Sequence, residues 1–236
     1  MKLLAIDTAG NACSAALWHD GKIVSSRFLE MTRGQAEAVM PMIMCVMGEG
    51  RMEFSALDAI AVTIGPGSFT GLRTGLAAAR GLALSRSLPL VGVTTTEAIA
   101  LAGSHQLPGH RCDRPVTVLL NSRRNDLYVQ HFASNLSPLG VPFAALPEDI
   151  VMNCPGGGVI FAGDALDQIK DIVAGSRALT NITFVPVVAP DAVFVASVAA
   201  DKWSNCSVKE SLFPQKLLYS RAPEAALPVG KGQLRP

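Results

Sequence analysis

The chain has 236 residues, of which 49% are hydrophobic and 17% are charged, and its formal net charge is +1. This composition predicts one or two lobes with a sizeable core. The near-neutral charge gives no broad basic surface and disfavours autonomous binding to nucleic acid. No uncharged apolar run reaches the roughly 18–20 residues that a bilayer span requires.

The first residues, MKLLAIDTAG, superficially resemble a signal peptide, but Asp7 interrupts the apolar stretch, and we expect cytoplasmic residence. The five cysteines never form a CxxC pair, which argues against a disulfide framework and against a zinc site. His105, His110 and Cys112 lie close together in sequence. Because the stretch around them is rich in turn residues, we interpret it as a solvated loop and not as a metal site.

The first half of the chain begins with three predicted strands, separated by turn signals at Gly10-Asn11 and Asp20-Gly21. Helices and strands then alternate. The order βββαβαβα predicts an α/β lobe with a mixed sheet. The predicted strands are 3–6, 13–18, 23–28, 59–64 and 90–93, and the predicted helices are 35–47, 71–86 and 96–102.

A glycine-rich loop, Gly65-Pro66-Gly67, connects the strand at 59–64 to the helix that follows it. Glycines at such a junction allow backbone N–H groups to point at an anion or allow another backbone to approach. Both interpretations stay open from the sequence. The spacing matches neither the Walker A pattern nor GxGxxG, so the loop alone does not identify a nucleotide site.

The second half follows a shift in composition between Ser104 and Pro115. Like the first half, it opens with a predicted hairpin, whose strands at 116–120 and 127–132 flank the polar turn 121–126. The two hairpins share no close sequence similarity. Because both halves begin with the same strand–turn–strand arrangement, we nevertheless predict duplicated lobes with a cleft between them. A strand at 159–162 and a helix at 190–203 are also predicted. The prediction therefore divides the chain into lobes at 1–104 and 105–213 and a proline-containing tail at 214–236. The tail is either a partly ordered strap or a disordered terminus.

Several segments of the chain resemble the bacterial tRNA threonylcarbamoyladenosine biosynthesis family TsaB. They are IDTAGNACSAAL, GQAEAVMPMI, TIGPGSFTGLRTGLAAARGLA and VGVTTTEAIA in residues 1–103, with NSRRNDLY and LLYSRAPEA beyond them. The resemblance implies the actin/Hsp70/sugar-kinase (ASKHA) superfold. That fold is α/β and two-lobed, with mixed sheets flanked by helices, and we expect the second lobe to be reduced.

The resemblance also implies a function. TsaB is a noncatalytic homologue of TsaD, related to M22 glycoproteases. TsaD and the ATPase TsaE act with it to install threonylcarbamoyl on N6 of adenosine 37 in tRNAs that read ANN codons. By this resemblance the chain would bind and activate TsaD, contact tRNA only indirectly, and need no membrane and no cofactor.

Two departures from the catalytic relatives support a noncatalytic role. Those relatives carry two histidines one helical turn apart that bind a metal, and the corresponding positions here are Thr95 and Ile99. Isoleucine has no donor atom, so that metal pair cannot form. Asn121 stands where phosphotransfer members of the superfold have aspartate, and an amide is neither a general base nor a strong magnesium ligand.

The resemblance places four residues at the first phosphate-loop position of the superfold: Asp7, Thr8, Gly10 and Asn11. Hydroxyl, amide and backbone N–H groups there could hold a phosphate. The alternative, which we favour, is a hairpin turn stabilised by Asp and Asn side chains without a ligand. Asn121 favours this alternative because it weakens the opposite wall of the cleft.

The helices predicted at 35–47 and 71–86 are apolar on nearly every face. One apolar stripe suffices to cover a sheet, so we predict that both helices form one subunit interface, with burial between the lobes as the alternative. The partner would be TsaD or, as a homodimer, a second copy. The predicted interface residues are Arg33, Ala36, Met40, Ile43, Met44, Met47, Arg73, Gly75, Leu76 and Ala79.

The competing functions are an autonomous ASKHA-type kinase, an M22-type metallopeptidase and a homodimeric binding protein. A kinase needs a carboxylate at position 121, and a peptidase needs the missing metal pair or a nucleophile–base arrangement.

Overall fold

Each half of the chain forms one five-stranded mixed sheet in the computed structural model, which describes residues 1–152, 154, 157–176, 179–205 and 217–218. In the first sheet, with strand order β3-β2-β1-β4-β5, β1 to β3 form an antiparallel meander and β4 and β5 run parallel to β1. The strands are β1 (Lys2–Asp7), β2 (Ala12–His19), β3 (Lys22–Glu30), β4 (Ala59–Thr63) and β5 (Leu90–Val93).

The second sheet repeats this topology, with strand order β10-β9-β6-β7-β8. Its first three strands are again an antiparallel meander, and its last two again run parallel to the first. The predicted duplication of lobes is therefore confirmed at the level of topology. The strands are β6 (Val116–Asn121), β7 (Leu127–Phe132), β8 (Phe143–Ala145), β9 (Gly157–Gly163) and β10 (Leu179–Pro186).

Six α-helices connect and cover the described part of the sheets. A Thr94–Glu97 capping box starts α3, and the Ser68 hydroxyl caps α2 by accepting from the Gly71 N–H (3.3 Å). The first helix extends two residues beyond its predicted range of 35–47. The helices are α1 (Gln35–Glu49), α2 (Phe69–Arg86), α3 (Thr95–His105), α4 (Pro147–Met152), α5 (Lys170–Gly175) and α6 (Ala192–Asn205), and short 3-10 helices lie at Phe54–Ala56, Pro108–His110 and Leu166–Gln168.

The helices form layers on both faces of the sheets. On one face of the first sheet, α1 and α2 pack against Leu4, Ile6 and Leu17. On the other face, which carries Leu3 and Ala5, α6 packs. Although α6 lies within the predicted second lobe, it contacts β1 and β2 of the first sheet. The division at residue 104, which stays a prediction, therefore does not coincide with the grouping of helices around the sheets.

The second lobe carries the elements that were not predicted: β8, β10, α4 and α5, of which the two helices have six residues each. None of the helices within the described residues is both long and apolar enough to span a membrane. Of the predicted tail at 214–236, only residues 217 and 218 are among those described.

Candidate functional site

The glycine-rich loop packs backbone against backbone on the β1–β2 turn. The Ser68 N–H donates to the Ala9 carbonyl (2.8 Å), and the Thr8 hydroxyl donates to the Gly71 carbonyl (2.6 Å). A Cβ atom at Gly67 would lie 2.5 Å from the Ala9 oxygen, and one at Gly71 would overlap the Thr8 oxygen. Of the two interpretations of this loop, close approach of a second backbone is therefore the one that the structure supports at these glycines.

Two of the four phosphate-loop candidates lie inside the core. Asp7 and Thr8 are completely buried. Asp7 Oδ1 accepts hydrogen bonds from the Thr63 hydroxyl (2.6 Å) and from the Ala9 N–H (3.1 Å), while the Thr8 hydroxyl is engaged as described above. The Thr8 hydroxyl would have to leave its bond to reach a phosphate, whereas Asp7 Oδ2 is buried without a hydrogen-bond partner among the described residues. The assignment of these two residues to a phosphate loop stays a prediction.

The other two candidates, Gly10 and Asn11, border the cleft between the lobes. Asn11 Oδ1 accepts a hydrogen bond from the Arg123 guanidinium (2.8 Å), which reaches across from the β6–β7 turn. The Asn121 carboxamide oxygen accepts from the Arg123 N–H (2.7 Å), and the Asn121 N–H donates to Asp164 (2.8 Å). Asn121 therefore uses its side-chain oxygen to stabilise the β6–β7 turn. Burial raises the pKa of Asp164.

The cleft encloses a cavity of about 60 Å³ lined on one side by the glycine-rich loop and on the other by the β6–β7 turn. Sites for small molecules typically measure about 300–1,000 Å³. A nucleotide would therefore fit only if the lobes moved apart.

Thr95 and Ile99, which correspond to the metal-binding histidines, lie one turn apart at the start of α3 and line the same cavity. Thr95 is 2% exposed, and its hydroxyl has no hydrogen-bond partner among the described residues. Ile99 is completely buried in the cluster under the second sheet. Within the described ranges, no group of three or more His, Cys, Asp or Glu side chains is arranged to hold a metal ion.

The predicted interface residues divide into two groups. The first group packs within the chain's own core, so the prediction that these residues are exposed to a partner is wrong: Ile43, Met47, Gly75, Leu76 and Ala79. The physical reason is that α1 and α2 each turn one stripe toward the sheet, and these residues occupy that stripe. The second group is exposed and comprises Arg33, Ala36, Met40, Met44 and Arg73.

The exposed sides of α1 and α2 form an apolar surface, which we call the helical face. On α1 it comprises Ala36, Met40 and Met44, and on α2 it comprises Phe69 and Arg73. Met44 and Phe69 are 57% and 53% exposed. The Arg73 guanidinium lies 3.6 Å from the centre of the Phe69 ring, a cation–π contact. The two helices contact each other.

Three relevant residues escaped the sequence reasoning. Thr63 binds Asp7, Arg123 bridges the cleft, and Phe69 supports Arg73. The polar turn at 121–126 indicates from the sequence that one of its side chains could reach the cleft. Which one does so depends on the relative placement of the two sheets.

We expect Gly71→Ala to destabilise the chain by at least about 2 kcal/mol, because the added methyl group would overlap the Thr8 carbonyl. Gly81→Ala in the same helix is the matched control, since a Cβ there meets nothing within 4 Å. Alanine is the better helix former, so this control should be neutral or stabilising by up to about 1 kcal/mol. Urea unfolding measures both, and equal stability of the two variants would contradict the close packing.

Comparison with known proteins supports this architecture. A family model described as "TsaD: tRNA N6-adenosine threonylcarbamoyltransferase" matches residues 29–155, more than half of the chain. The tRNA threonylcarbamoyladenosine biosynthesis protein TsaB of Escherichia coli (strain K12) is 42% identical over 100 residues, which are 42% of this chain and 43% of that protein. The match thus spans less than half the length of this relative.

Two solved structures share the fold. YeaZ from Pseudomonas aeruginosa superposes with a TM-score of 0.76 at 24% identity, over 92% of this chain and 99% of that one. The inorganic polyphosphate/ATP-glucomannokinase from Arthrobacter sp. strain KM superposes with a TM-score of 0.50 at 13% identity, over 85% and 99%. The predicted two-lobed, sugar-kinase-like fold is therefore confirmed. Together with the matched family model, these similarities confirm the resemblance to TsaB, and the chain belongs to the family that the TsaD model describes.

Proposed function

We propose that this chain is a noncatalytic subunit that binds and activates a TsaD-type catalytic subunit, and that the pair, with TsaE, forms threonylcarbamoyladenosine at position 37 of tRNA. The proposal combines the family membership with one observation, the helical face. Activation would act through protein contacts that position mobile elements of the catalytic subunit.

The helical face carries the proposal because it exposes large apolar side chains on two adjacent helices. Met40 is 39% exposed, and Met44 and Phe69 are more so. Exposed apolar patches of this kind are typical of partner sites, and methionine adapts its shape to a partner. Arginine and aromatic residues are enriched among the residues that dominate binding energy, which favours a central role for the Arg73–Phe69 pair.

The cleft supports the noncatalytic part of the proposal. Thr95 and Ile99 replace the metal-binding pair, and Asn121 replaces the carboxylate of phosphotransfer enzymes. The remaining carboxylate at this end of the first sheet, Asp7, is buried and engaged by Thr63. Thr95, Ile99 and Asn121 therefore offer neither a general base nor a cation site at the cavity, and Asp164, which also lines it, accepts a hydrogen bond from the Asn121 N–H.

Reconstitution tests the proposal. Threonylcarbamoyladenosine formation is measured with a preformed activated threonylcarbamoyl donor, ATP, tRNA, TsaD and TsaE, with and without this chain. We expect activity only when the chain and TsaD are both present, and a complex of the two by light scattering. Product formed by the chain without TsaD would support an autonomous enzyme. A homodimer that persists unchanged when TsaD is added would support the homodimeric binding protein.

A further inference from the structure

Two residues near the C-terminus contact the strand–loop–helix junction that shapes the cleft. The Leu218 N–H donates to the Ile64 carbonyl (2.8 Å), directly after β4 ends. Leu217 is half-buried and packs against the core cluster beneath α1 and α2. The last described helix, α6, packs on the opposite face of the first sheet. The C-terminal part of the chain therefore has contacts on both faces of this sheet.

Gly65 accommodates this contact. A Cβ atom at position 65 would lie 2.8 Å from the Leu218 carbonyl oxygen, and the residue has a φ of +113°. On its other side, the Gly65 carbonyl accepts from the Thr95 N–H at the start of α3 (2.9 Å). The loop is thus held between α3 and residues 217–218, and Leu72 in the first turn of α2 lies beside Gly65.

We propose that residues 217–218 are a clamp that fixes the 64–68 loop and the first turn of α2, and thereby couples the C-terminal segment to the partner-binding helical face. The first turn of α2 contains Phe69 and leads directly to Arg73. A loop that is free to move would let this turn fray and misplace both side chains. The coupling to a partner rests on the proposed function, whereas the clamp itself does not.

Hydrogen exchange of the full-length chain alone tests the clamp. Leu218→Pro removes the N–H that donates to Ile64, while Leu218→Ala keeps it and serves as the matched control. We expect amides in residues 65–73 to exchange about three to ten times faster in the proline variant than in the alanine variant, because local opening becomes easier. Amides in 116–132 should be unaffected. Equal rates in the two variants, or equal acceleration in both segments, would overturn the clamp.

A second pair of variants removes the packing without touching the backbone donor. Leu217→Asp places a carboxylate against the core cluster, and Leu217→Met conserves the volume. The aspartate variant should accelerate exchange in 65–73 and weaken binding to purified TsaD about tenfold, while the methionine variant should do neither. Accelerated exchange with unchanged affinity would overturn the coupling and leave the clamp. If the unaltered chain does not bind TsaD at all, the proposed function fails, and the exchange result still decides the clamp.

Discussion

Met44→Glu is expected to weaken binding to a TsaD-type subunit by more than about 100-fold while the isolated chain keeps its stability. Met44 belongs to the helical face and is 57% exposed, so a charge there is solvated in the free chain. In the complex the same charge would be buried against a partner without a counter-charge, which is costly. Isothermal titration with TsaD and urea unfolding of the free chain measure the two quantities.

Two control variants make this test specific. Met152→Glu introduces the same change at a methionine that is 74% exposed on α4, in the second lobe and outside the helical face, so TsaD binding should be unchanged. Ile43→Glu changes the residue beside Met44, but Ile43 is completely buried, so this variant should unfold. If Met44→Glu and Met152→Glu bind TsaD equally well, the helical face is not the interface.

Sequence reasoning predicted the strands of the first lobe well, because short apolar or alternating runs are bounded by clear turn signals. It missed α4 and α5, since six residues are too few to establish a helical period. The two methionine- and alanine-rich helices show a further limit. Their apolar residues surround the helix axis, so periodicity could not separate the stripe that contains Ile43 from the one that contains Met44.

The cleft was predicted only in part, for a related reason. The replacement of the two histidines by Thr95 and Ile99 can be read from the sequence, because it depends only on which residues occupy those positions. The orientation of Asp7 is not local, since it depends on whether the side chain meets Thr63 on the neighbouring strand or the cleft. The pairing of Arg123 with Asn11 likewise joins residues 112 positions apart.

Asp7→Asn is expected to remove a pH dependence of stability that the native chain shows between about pH 4 and pH 7. Burial of the carboxyl, with a smaller effect from the negative charge of Asp191, raises its pKa from 3.8 to about 7, against the lowering effect of the hydrogen bonds from Thr63 and Ala9. The folded chain therefore binds this proton more tightly than the unfolded chain does.

The sign of the effect follows from this difference. Below pH 3.8 the carboxyl is protonated in both states, and its stabilising contribution is fully present. As the pH rises, the unfolded chain releases the proton first, so the free energy of unfolding falls until the folded chain also releases it near pH 7. Each pKa unit corresponds to about 1.4 kcal/mol, so the loss amounts to at most about 4 kcal/mol.

Asparagine mimics the protonated acid, because its carbonyl oxygen can accept the same two hydrogen bonds and it carries no charge. The stability of the asparagine variant relative to the native chain should therefore rise between pH 4.5 and pH 8. Urea unfolding across this range measures the change, and Asp201→Asn, an exposed substitution on α6, is the control that should not alter the slope. Parallel profiles of the native and asparagine chains would mean that Asp7 is charged in the folded state.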